Sequence, residues 1–305
     1  MRTPSTTITF IAALLLLAIP VHSQQKRTVA ERLGYPADSR LLLIHADDFG
    51  MLHSVNQATS EALEKHWITS ASILVPCPWF PEVAAFAKSH PDADLGIHVA
   101  LNSEWTTVRW RPVSPQPSNS SLLDRDGYLP LEETEVIAHA KPEDAATEVR
   151  AQLAKAKQSG VNFTHLDSHM KTIIGTPDLR RVYLQAASDN HVPALVAEKT
   201  AEPLPPFATL IDGEVQMQPG VSRDKWLDWY KKELSKLSPG VYQLTVHLGF
   251  DDNELRGATA DHPDWGAAWR QNDYDLVRSP EFQKFLRDQK FILVSWRDLA
   301  RALKN

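Results

Sequence analysis

Two adjacent carboxylates, Asp47 and Asp48, stand near the end of the stretch LLLIHADDFG at residues 41–50. Four apolar residues in a row predict a strand bound for the core, where neighbouring carboxylates repel each other unless a cation compensates their charge. An acidic turn that closes the strand is the alternative interpretation, since Asp is common in turns and Gly50 relieves the backbone. The pair alone does not decide between a metal site and a turn.

Further side chains of the kinds that bind metals stand at other predicted strand ends. His98 ends the third predicted strand in LGIHVAL, Asp167 and His169 lie in THLDSHM, and His247 ends LTVHLG. One carboxylate with two imidazoles is a catalytic metal set that leaves positions open for water and substrate. One aspartate of the pair would then bind the metal while its neighbour accepts a proton. Each histidine taken singly also fits a hydrogen-bonded structural role, so only the convergence of all of them in one cleft would indicate a metal site.

The elements that must position these side chains alternate regularly along the chain. Short β-rich runs predict strands over residues 41–45, 71–75, 94–98, 162–166, 192–196, 241–247 and 291–295. Helical periodicity predicts helices over residues 54–66, 81–89, 142–159, 177–190, 223–236 and 280–289. This alternation is typical of parallel α/β architecture.

A seven-stranded parallel (β/α) barrel, related to the TIM barrel, is favoured over an open doubly wound sheet. The glycine-rich turn of a dinucleotide-binding fold is absent after the first strand. In a parallel barrel the carboxyl ends of the strands meet on one face, where barrel enzymes place their chemistry. Two long connections, residues 102–140 and 198–222, are expected to be binding loops or lids, or to be disordered.

The first 25 residues resemble a secretory signal, with Arg2, an apolar run from Ile8 to Ile19 and a cleavage point near Ser23. The run is too short for a membrane span, which needs about 20 apolar residues. The mature chain, residues 26–305, is therefore expected to be a single secreted or periplasmic domain without a membrane span. The net charge of −6 over the full sequence and the lack of a basic block argue against a nucleic-acid partner. The oligomeric state is open.

A family resemblance follows from several of these stretches taken in order. HADDFG, TSASILVP, LGIHVAL, THLDSH and VHLG resemble the YdjC-like (ChbG/HpnK) carbohydrate deacetylases from about Leu41 to Leu299. The resemblance implies an incomplete (β/α) barrel that removes N-acetyl groups from amino sugars, here from an acetylated oligosaccharide. It also implies a divalent metal, Zn or Mg. The chain departs from the family pattern at His45, where Asn is frequent, at Leu248, and at residues 170–172, where further histidines are frequent.

The same resemblance implies roles residue by residue. It implies that Asp48, His98 and His169 bind the metal and that Asp47 is the catalytic base.

Three further roles are implied by position. His247 corresponds to the general acid, and Asp167 to a residue that orients a ligand imidazole. Arg270 corresponds to an arginine that supports Asp47, although a surface ion pair is an equal alternative.

Aromatic residues near the predicted site suggest contacts with a sugar. Trp105 and Trp110 follow His98 in the long loop, and Asn102 offers a polar contact for ring hydroxyls. Packing of the loop onto the barrel explains the two tryptophans equally well. Two other functions stay open, a two-carboxylate glycoside hydrolase and a catalytically altered carbohydrate-binding barrel.

Overall fold

The computed structural model of the chain describes residues 27–117, 120–197 and 200–304. The predicted signal over residues 1–25 lies outside the described residues. No helix in the described ranges is long and apolar enough to cross a bilayer.

Seven parallel strands form one curled sheet with helices around it, which confirms the predicted incomplete (β/α) barrel. The strands are β1 Arg40–Phe49, β2 Ser70–Ile73, β3 Leu95–Val99, β4 Leu166–Ser168, β5 Gly213–Gln216, β6 Gly240–Val246 and β7 Phe291–Leu293. Their order is β4-β3-β2-β1-β6-β5, and β7 pairs with the first residues of β1. The described parts of the edge strands β4 and β5 do not pair with each other, so the barrel stays open between them.

Helices follow most of the strands, as the alternation predicts. They are α1 Val29–Arg32, α2 His53–Glu64, α3 Phe80–Ser89, α4 Glu133–His139, α5 Pro142–Gln158, α6 Pro177–Asp189, α7 Trp226–Ser235, α8 Asn253–Ala258, α9 Ala267–Arg278, α10 Pro280–Asp288 and α11 Trp296–Ala302. Several begin as their sequences indicate. The side chains of Thr176, Asp252 and Ser279 accept backbone N–H groups at the starts of α6, α8 and α10.

The second half of the predicted strand pattern needs two corrections. Residues 192–196 form no strand, since only Ala194 pairs there, in a single bridge with Leu166. The fifth strand is instead Gly213–Gln216, inside the segment predicted as a long loop. Its polar sequence GEVQ hides the strand because β5 lies at the edge of the sheet and only Val215 is buried. The fourth strand also lies later than predicted, at Leu166–Ser168.

Alternation along β1 determines which side chains reach the barrel interior. Leu41 and Leu43 pack with Trp296 of α11 in one apolar cluster, whereas Leu42 and Ile44 belong to the larger cluster. Successive strand residues face opposite sides of the sheet, so the side chains of the odd-numbered residues of β1 lie on the same face as those of Leu41 and Leu43.

Replacing Gly96 by alanine is expected to destabilise the protein by about 1–3 kcal/mol, because a methyl group there overpacks the core. A Cβ at Gly96 would lie 2.3 Å from Nε2 of His165. That ring is buried and stacks on Trp296 at 4.9 Å between centroids, so it has little room to move. Urea unfolding of both proteins measures the change.

The matched control is Gly257→Ala, which changes a glycine in the exposed part of α8 with nothing within 4 Å of the new methyl group. This variant is expected to gain about 0.4–1 kcal/mol, since alanine restricts the unfolded chain more than glycine does. Equal stability of the two variants would contradict the account of Gly96.

Candidate active site

A break in the alternation of β1 brings both aspartates to the cleft at the carboxyl end of the barrel. The pairing of β1 with β2 shifts register between Ala46 and Phe49, and Asp48 has a left-handed backbone with φ of 67°. Asp is one of the few non-glycine residues that adopt this conformation readily. Consecutive strand residues normally face opposite sides, but Asp47 and Asp48 both line the cleft.

His98 reaches the cleft from β3 with its ring held by a carboxylate. Its Nδ1 lies 2.8 Å from Oδ1 of Asp167, and Asp167 comes from the neighbouring strand β4. The other nitrogen, Nε2, lies 3.6 Å from Oδ1 of Asp48. Asp167 therefore lies behind an imidazole that faces the aspartate pair.

His169 is oriented in the same way by Glu104, a contact that the sequence did not reveal. Its Nε2 lies 2.9 Å from Oε2 of Glu104, and its Nδ1 lies 3.5 Å from Oδ1 of Asp48. A carboxylate behind a metal-binding imidazole fixes the tautomer and the direction of the ring. Glu104 stands in the long loop, 65 positions before His169, so no local spacing pointed to this contact.

Arg270 pairs with Asp48, and the prediction that it supports Asp47 is corrected. Nη2 of Arg270 donates to Oδ2 of Asp48 at 2.7 Å, and both side chains are buried. The alternative of a surface ion pair is therefore also excluded. Because Oδ2 is occupied, the carboxylate turns its other oxygen, Oδ1, toward the two imidazoles.

The residues Asp48, His98 and His169 fit a metal ion. Oδ1 of Asp48 is buried and accepts no hydrogen bond in the described structure, an arrangement that is costly unless a cation occupies the site. Bonds of about 2.0–2.2 Å in tetrahedral geometry put neighbouring ligand atoms roughly 3.4 Å apart. The observed separations of 3.5 and 3.6 Å from this oxygen agree with that value.

Asp47 and His247 lie beside this set. Oδ2 of Asp47 is 3.7 Å from Nε2 of His98 and 3.9 Å from Nε2 of His247. The other oxygen of Asp47 is 3.3 Å from Nε2 of His45, and that nitrogen also lies 2.9 Å from Asp167. His45, which departs from the family pattern, thus connects the predicted base with the carboxylate that orients His98.

The two adjacent aspartates differ in their pKa values. Burial raises the pKa of Asp47 well above its usual range, and the carboxylates of Asp167 and Asp48 add to this shift although His98 opposes it. Burial would also raise the pKa of Asp48, but Arg270 outweighs it, with the help of His169, and holds that pKa well below its usual range. Asp48 is therefore ionised and ready to bind a cation, while Asp47 needs nearby positive charge to become ionised.

His247 is fixed through its backbone. Its N–H donates to Oδ2 of Asp273 at 2.9 Å, and Oδ1 of Asp273 accepts from Nε1 of Trp226 at 2.9 Å. Burial lowers the pKa of His247 to about 3, and the positive charges of Arg270 and His98 act in the same direction although Asp48 opposes them. The imidazole is neutral at neutral pH, and its Nδ1 has no hydrogen-bond partner within the described ranges.

The cleft has a volume of about 620 Å³. Its lining includes the candidate metal ligands and the two residues beside them, Asp48, His98, His169, Asp47 and His247. Trp105 lines it, but Trp110 and Asn102 do not. Trp110 is only 2% exposed and donates from Nε1 to the backbone oxygen of Asn102 at 2.8 Å, while Asn102 is fully buried. The prediction that these two residues contact a sugar is therefore corrected, since they pack beneath the wall of the cleft. Trp265, which follows His247 in the sequence, does line the cleft.

The fold and the site together define an incomplete (β/α) barrel with a candidate metal centre at the carboxyl ends of its strands. The chain belongs to the YdjC-like protein family, whose model matches residues 41–288. This match covers β1 and β3, which carry Asp47, Asp48 and His98, and β4, which His169 directly follows.

Two curated relatives are named carbohydrate deacetylases. The protein from Thermus thermophilus is 32% identical over 286 residues, which cover 90% of this chain and 98% of the relative. The protein from Brevibacillus brevis is 33% identical over 266 residues, 85% of this chain and 99% of the relative. A solved structure from Enterococcus faecalis V583, whose description proposes cleavage of cellobiose phosphate, has a TM-score of 0.71 at 22% identity. It covers 86% of this chain and 99% of its own, and it supports the fold.

Removing the carboxylate behind either imidazole is expected to weaken binding of a divalent ion about 10–100-fold, the usual effect of such contacts. The variants are Asp167→Asn and Glu104→Gln, which keep the shape of the side chain but lose its charge. Competition with a chelating dye measures the affinity. Glu82→Gln is the control, because Glu82 accepts from Asn56 and pairs with His53 outside the cleft. Unchanged affinity in both test variants would show that these carboxylates do not orient ligands.

Proposed function

We propose that the protein is a metal-dependent hydrolase that removes N-acetyl groups from amino-sugar-containing oligosaccharides. The observation that carries the proposal is the buried Oδ1 of Asp48, which accepts no hydrogen bond and faces two imidazoles, with Asp47 and His247 beside them. The names of the curated relatives support the choice of an acetylated carbohydrate as substrate.

The metal proposed for this site is a divalent ion, with zinc ahead of magnesium. Two imidazoles and one carboxylate suit zinc, whereas magnesium prefers oxygen ligands and keeps several waters. When bound, the ion would supply Lewis acidity for a water nucleophile and for the acetyl carbonyl.

The side chains of the protein would carry the protons of the reaction. Asp47, which the positive charge of a bound ion would keep ionised, accepts the proton of the attacking water. The imidazole of His247 starts neutral, because its pKa is low, and its Nε2 is 3.9 Å from Oδ2 of Asp47. It can therefore receive this proton and deliver it to the nitrogen of the departing amine. Acetate and the free amino sugar are the products, and the acid role of His247 depends on a proton gained during the reaction.

The glycoside hydrolase alternative fits the site poorly. A carboxylic acid catalyst needs a free oxygen, but both oxygens of Asp167 accept from imidazoles, at 2.8 Å from His98 and 2.9 Å from His45. Burial would raise the pKa of Asp167, yet these imidazoles hold it well below its usual range, so Asp167 does not retain a proton to donate.

Binding of a divalent ion to the metal-free protein is expected to strengthen as the pH rises. Burial lowers the pKa of both imidazoles, but Asp167 and Asp47 raise that of His98 to about 9, and Glu104 with Asp48 raises that of His169 to about 10. Both must lose a proton to bind the ion, so below pH 9 the affinity should increase by up to about 100-fold per pH unit. Calorimetric titration in buffers of different ionisation enthalpy counts the protons. Release of about two protons per ion from the imidazoles is expected, with up to one more from Asp47 as the ion ionises it, and no release would contradict the assignment of both ligands.

We also propose that the protein is exported to the periplasm or secreted. The composition of residues 1–25 supports this proposal, and glycans outside the cytoplasm would then be the substrates. Cell fractionation, with determination of the first residue of the mature chain, tests it. A chain that starts at Met1 and stays in the cytoplasm would contradict it.

Acetate release from a panel of N-acetylated oligosaccharides tests the proposed activity. The assay is run on the protein as isolated, after treatment with a chelator, and after return of zinc or magnesium. Release that depends on the metal is the expected result. Metal bound stoichiometrically with no release from any substrate would contradict the proposed reaction and favour a carbohydrate-binding barrel.

A further inference from the structure

The cleft extends beyond the candidate metal centre to the opening of the barrel between β4 and β5. On the side of β4 it is lined by Met170 and Lys171, which directly follow His169. On the side of β5 it is lined by Glu214 and Gln216. The mechanism proposed above uses none of these four residues, so the opening has no assigned role.

The backbone on the β4 side is strained. Met170 and Lys171 have φ values of 46° and 60°, although neither is a glycine. Non-glycine residues in this conformation are energetically costly and are retained mainly at active sites and ligand clamps. Met170 is thereby presented to the cleft with 38% of its surface exposed, and the Asn102 amide contacts its sulfur at 2.9 Å. Lys171 is directed across the opening toward β5.

A pair of opposite charges spans the opening. Nζ of Lys171 lies 3.5 Å from Oε2 of Glu214, and the hydroxyl of Thr245 on β6 donates to the other oxygen of Glu214 at 2.6 Å. Glu214 is thus held in place with 15% of its side chain exposed, whereas Lys171 is more than half exposed. The amide side chain of Gln216, next along this face of β5, makes no hydrogen bond to another described residue.

This lining matches a neutral sugar ring. Adjacent donor and acceptor groups suit the neighbouring hydroxyls of a sugar, and the exposed thioether of Met170 offers an apolar surface for a ring face. Because Lys171 and Glu214 balance each other, the opening carries no excess positive charge that would favour a phosphorylated sugar.

We propose that the opening between β4 and β5 is a subsite for the sugar residue adjacent to the acetylated one, with Lys171 and Glu214 binding its hydroxyls. The inference rests on the proposed deacetylase function and adds to it a place for the second sugar. The protein should therefore act on a disaccharide better than on a monosaccharide.

The test compares kcat/KM for N,N′-diacetylchitobiose and for N-acetylglucosamine in the wild-type protein, Lys171→Met and Glu214→Gln. Each variant is expected to lose about 10-fold on the disaccharide, the usual effect of a lost hydrogen bond to a charged group, and less than about 2-fold on the monosaccharide. Lys284→Met is the control, because Lys284 forms a similar pair with Asp288 on the surface of α10. It should leave both values unchanged.

Two outcomes would overturn the subsite. One is equal activity of the wild-type protein on both sugars, and the other is an equal loss on both in the two variants. If the metal-loaded wild type releases no acetate from either sugar, the proposed function fails, and calorimetric binding of the disaccharide decides about the subsite. Weaker binding by Lys171→Met would support the subsite without the activity, and unchanged binding would overturn it.

Discussion

Replacing Asp47 by asparagine is expected to lower kcat for acetate release about 10²–10⁴-fold while the divalent ion stays bound, the usual range for loss of a general base. Asp47 borders the metal set, with its Oδ2 3.7 Å from His98 and 3.9 Å from His247. Of the two ligand imidazoles it groups with that of His98 alone, whereas Asp48 groups with both His98 and His169. Asparagine keeps the size of the side chain but cannot accept the proton of the attacking water. Initial rates at saturating substrate and elemental analysis of the same sample measure the two quantities.

The control for this variant is Asp288→Asn, which removes an exposed carboxylate on α10 and should change neither rate nor metal content. Loss of the metal together with activity in Asp47→Asn would show that Asp47 is itself a ligand. Full activity of Asp47→Asn would show that Asp47 is not the base of the reaction.

Replacing His169 by alanine is expected to weaken binding of the divalent ion by more than about 100-fold, beyond the effect of removing a supporting carboxylate. The variant loses the nitrogen that lies 3.5 Å from Oδ1 of Asp48, and it leaves Glu104 without the imidazole that it binds. Acetate release at a fixed low concentration of zinc should fall in proportion to the metal bound. Equilibrium dialysis against zinc measures the affinity.

His262→Ala is a matched control for that change, because His262 also lines the cleft but contacts Trp105 rather than Asp48. Its affinity for zinc should equal that of the wild-type protein. An unchanged affinity in His169→Ala, or an equal loss in both variants, would contradict the assignment of His169 as a ligand.

The position of the candidate site could be predicted from the sequence because the two aspartates and the three histidines lie at strand ends or directly after them. His98 on β3 and His247 after β6 are far apart in sequence, yet the topology of a parallel barrel brings the carboxyl ends of their strands to one face. This convergence follows from the order of the strands and helices, and it can be predicted without knowing the side-chain contacts. The alternation of strands and helices was therefore enough to locate the cleft.

The individual contacts within the site could not be predicted from the order of strands and helices. Arg270 pairs with Asp48 because Asp48 has a left-handed backbone, which redirects its side chain, and alternation along a strand predicts no such turn. Glu104 reaches His169 from an irregular loop whose path is set by packing. His45 stood beside the aspartate pair and could have been considered, since alternation puts it on the same face of β1 as Asp47.

The errors in the second half of the sheet have a common cause. An apolar run predicts a strand because it predicts burial, and residues 192–196 are partly buried without joining the sheet beyond Ala194. The strand Gly213–Gln216 lies at one edge of the sheet, so its polar sequence lacks this signal.

The prediction for Trp110 failed for a different reason. An aromatic residue close to the site in sequence was expected to contact the substrate, but Trp110 is buried by packing and by its hydrogen bond to the backbone of Asn102.

Titration of zinc into the chelator-treated protein, with acetate release recorded at each addition, tests whether Asp48, His98 and His169 hold a catalytic metal ion. The arrangement of Asp48, His98 and His169 around one buried carboxylate oxygen predicts that activity is absent at the start and rises linearly to a plateau at one ion per chain. Full activity in the metal-free protein, or a bound ion that restores no acetate release from any acetylated oligosaccharide, would contradict the account.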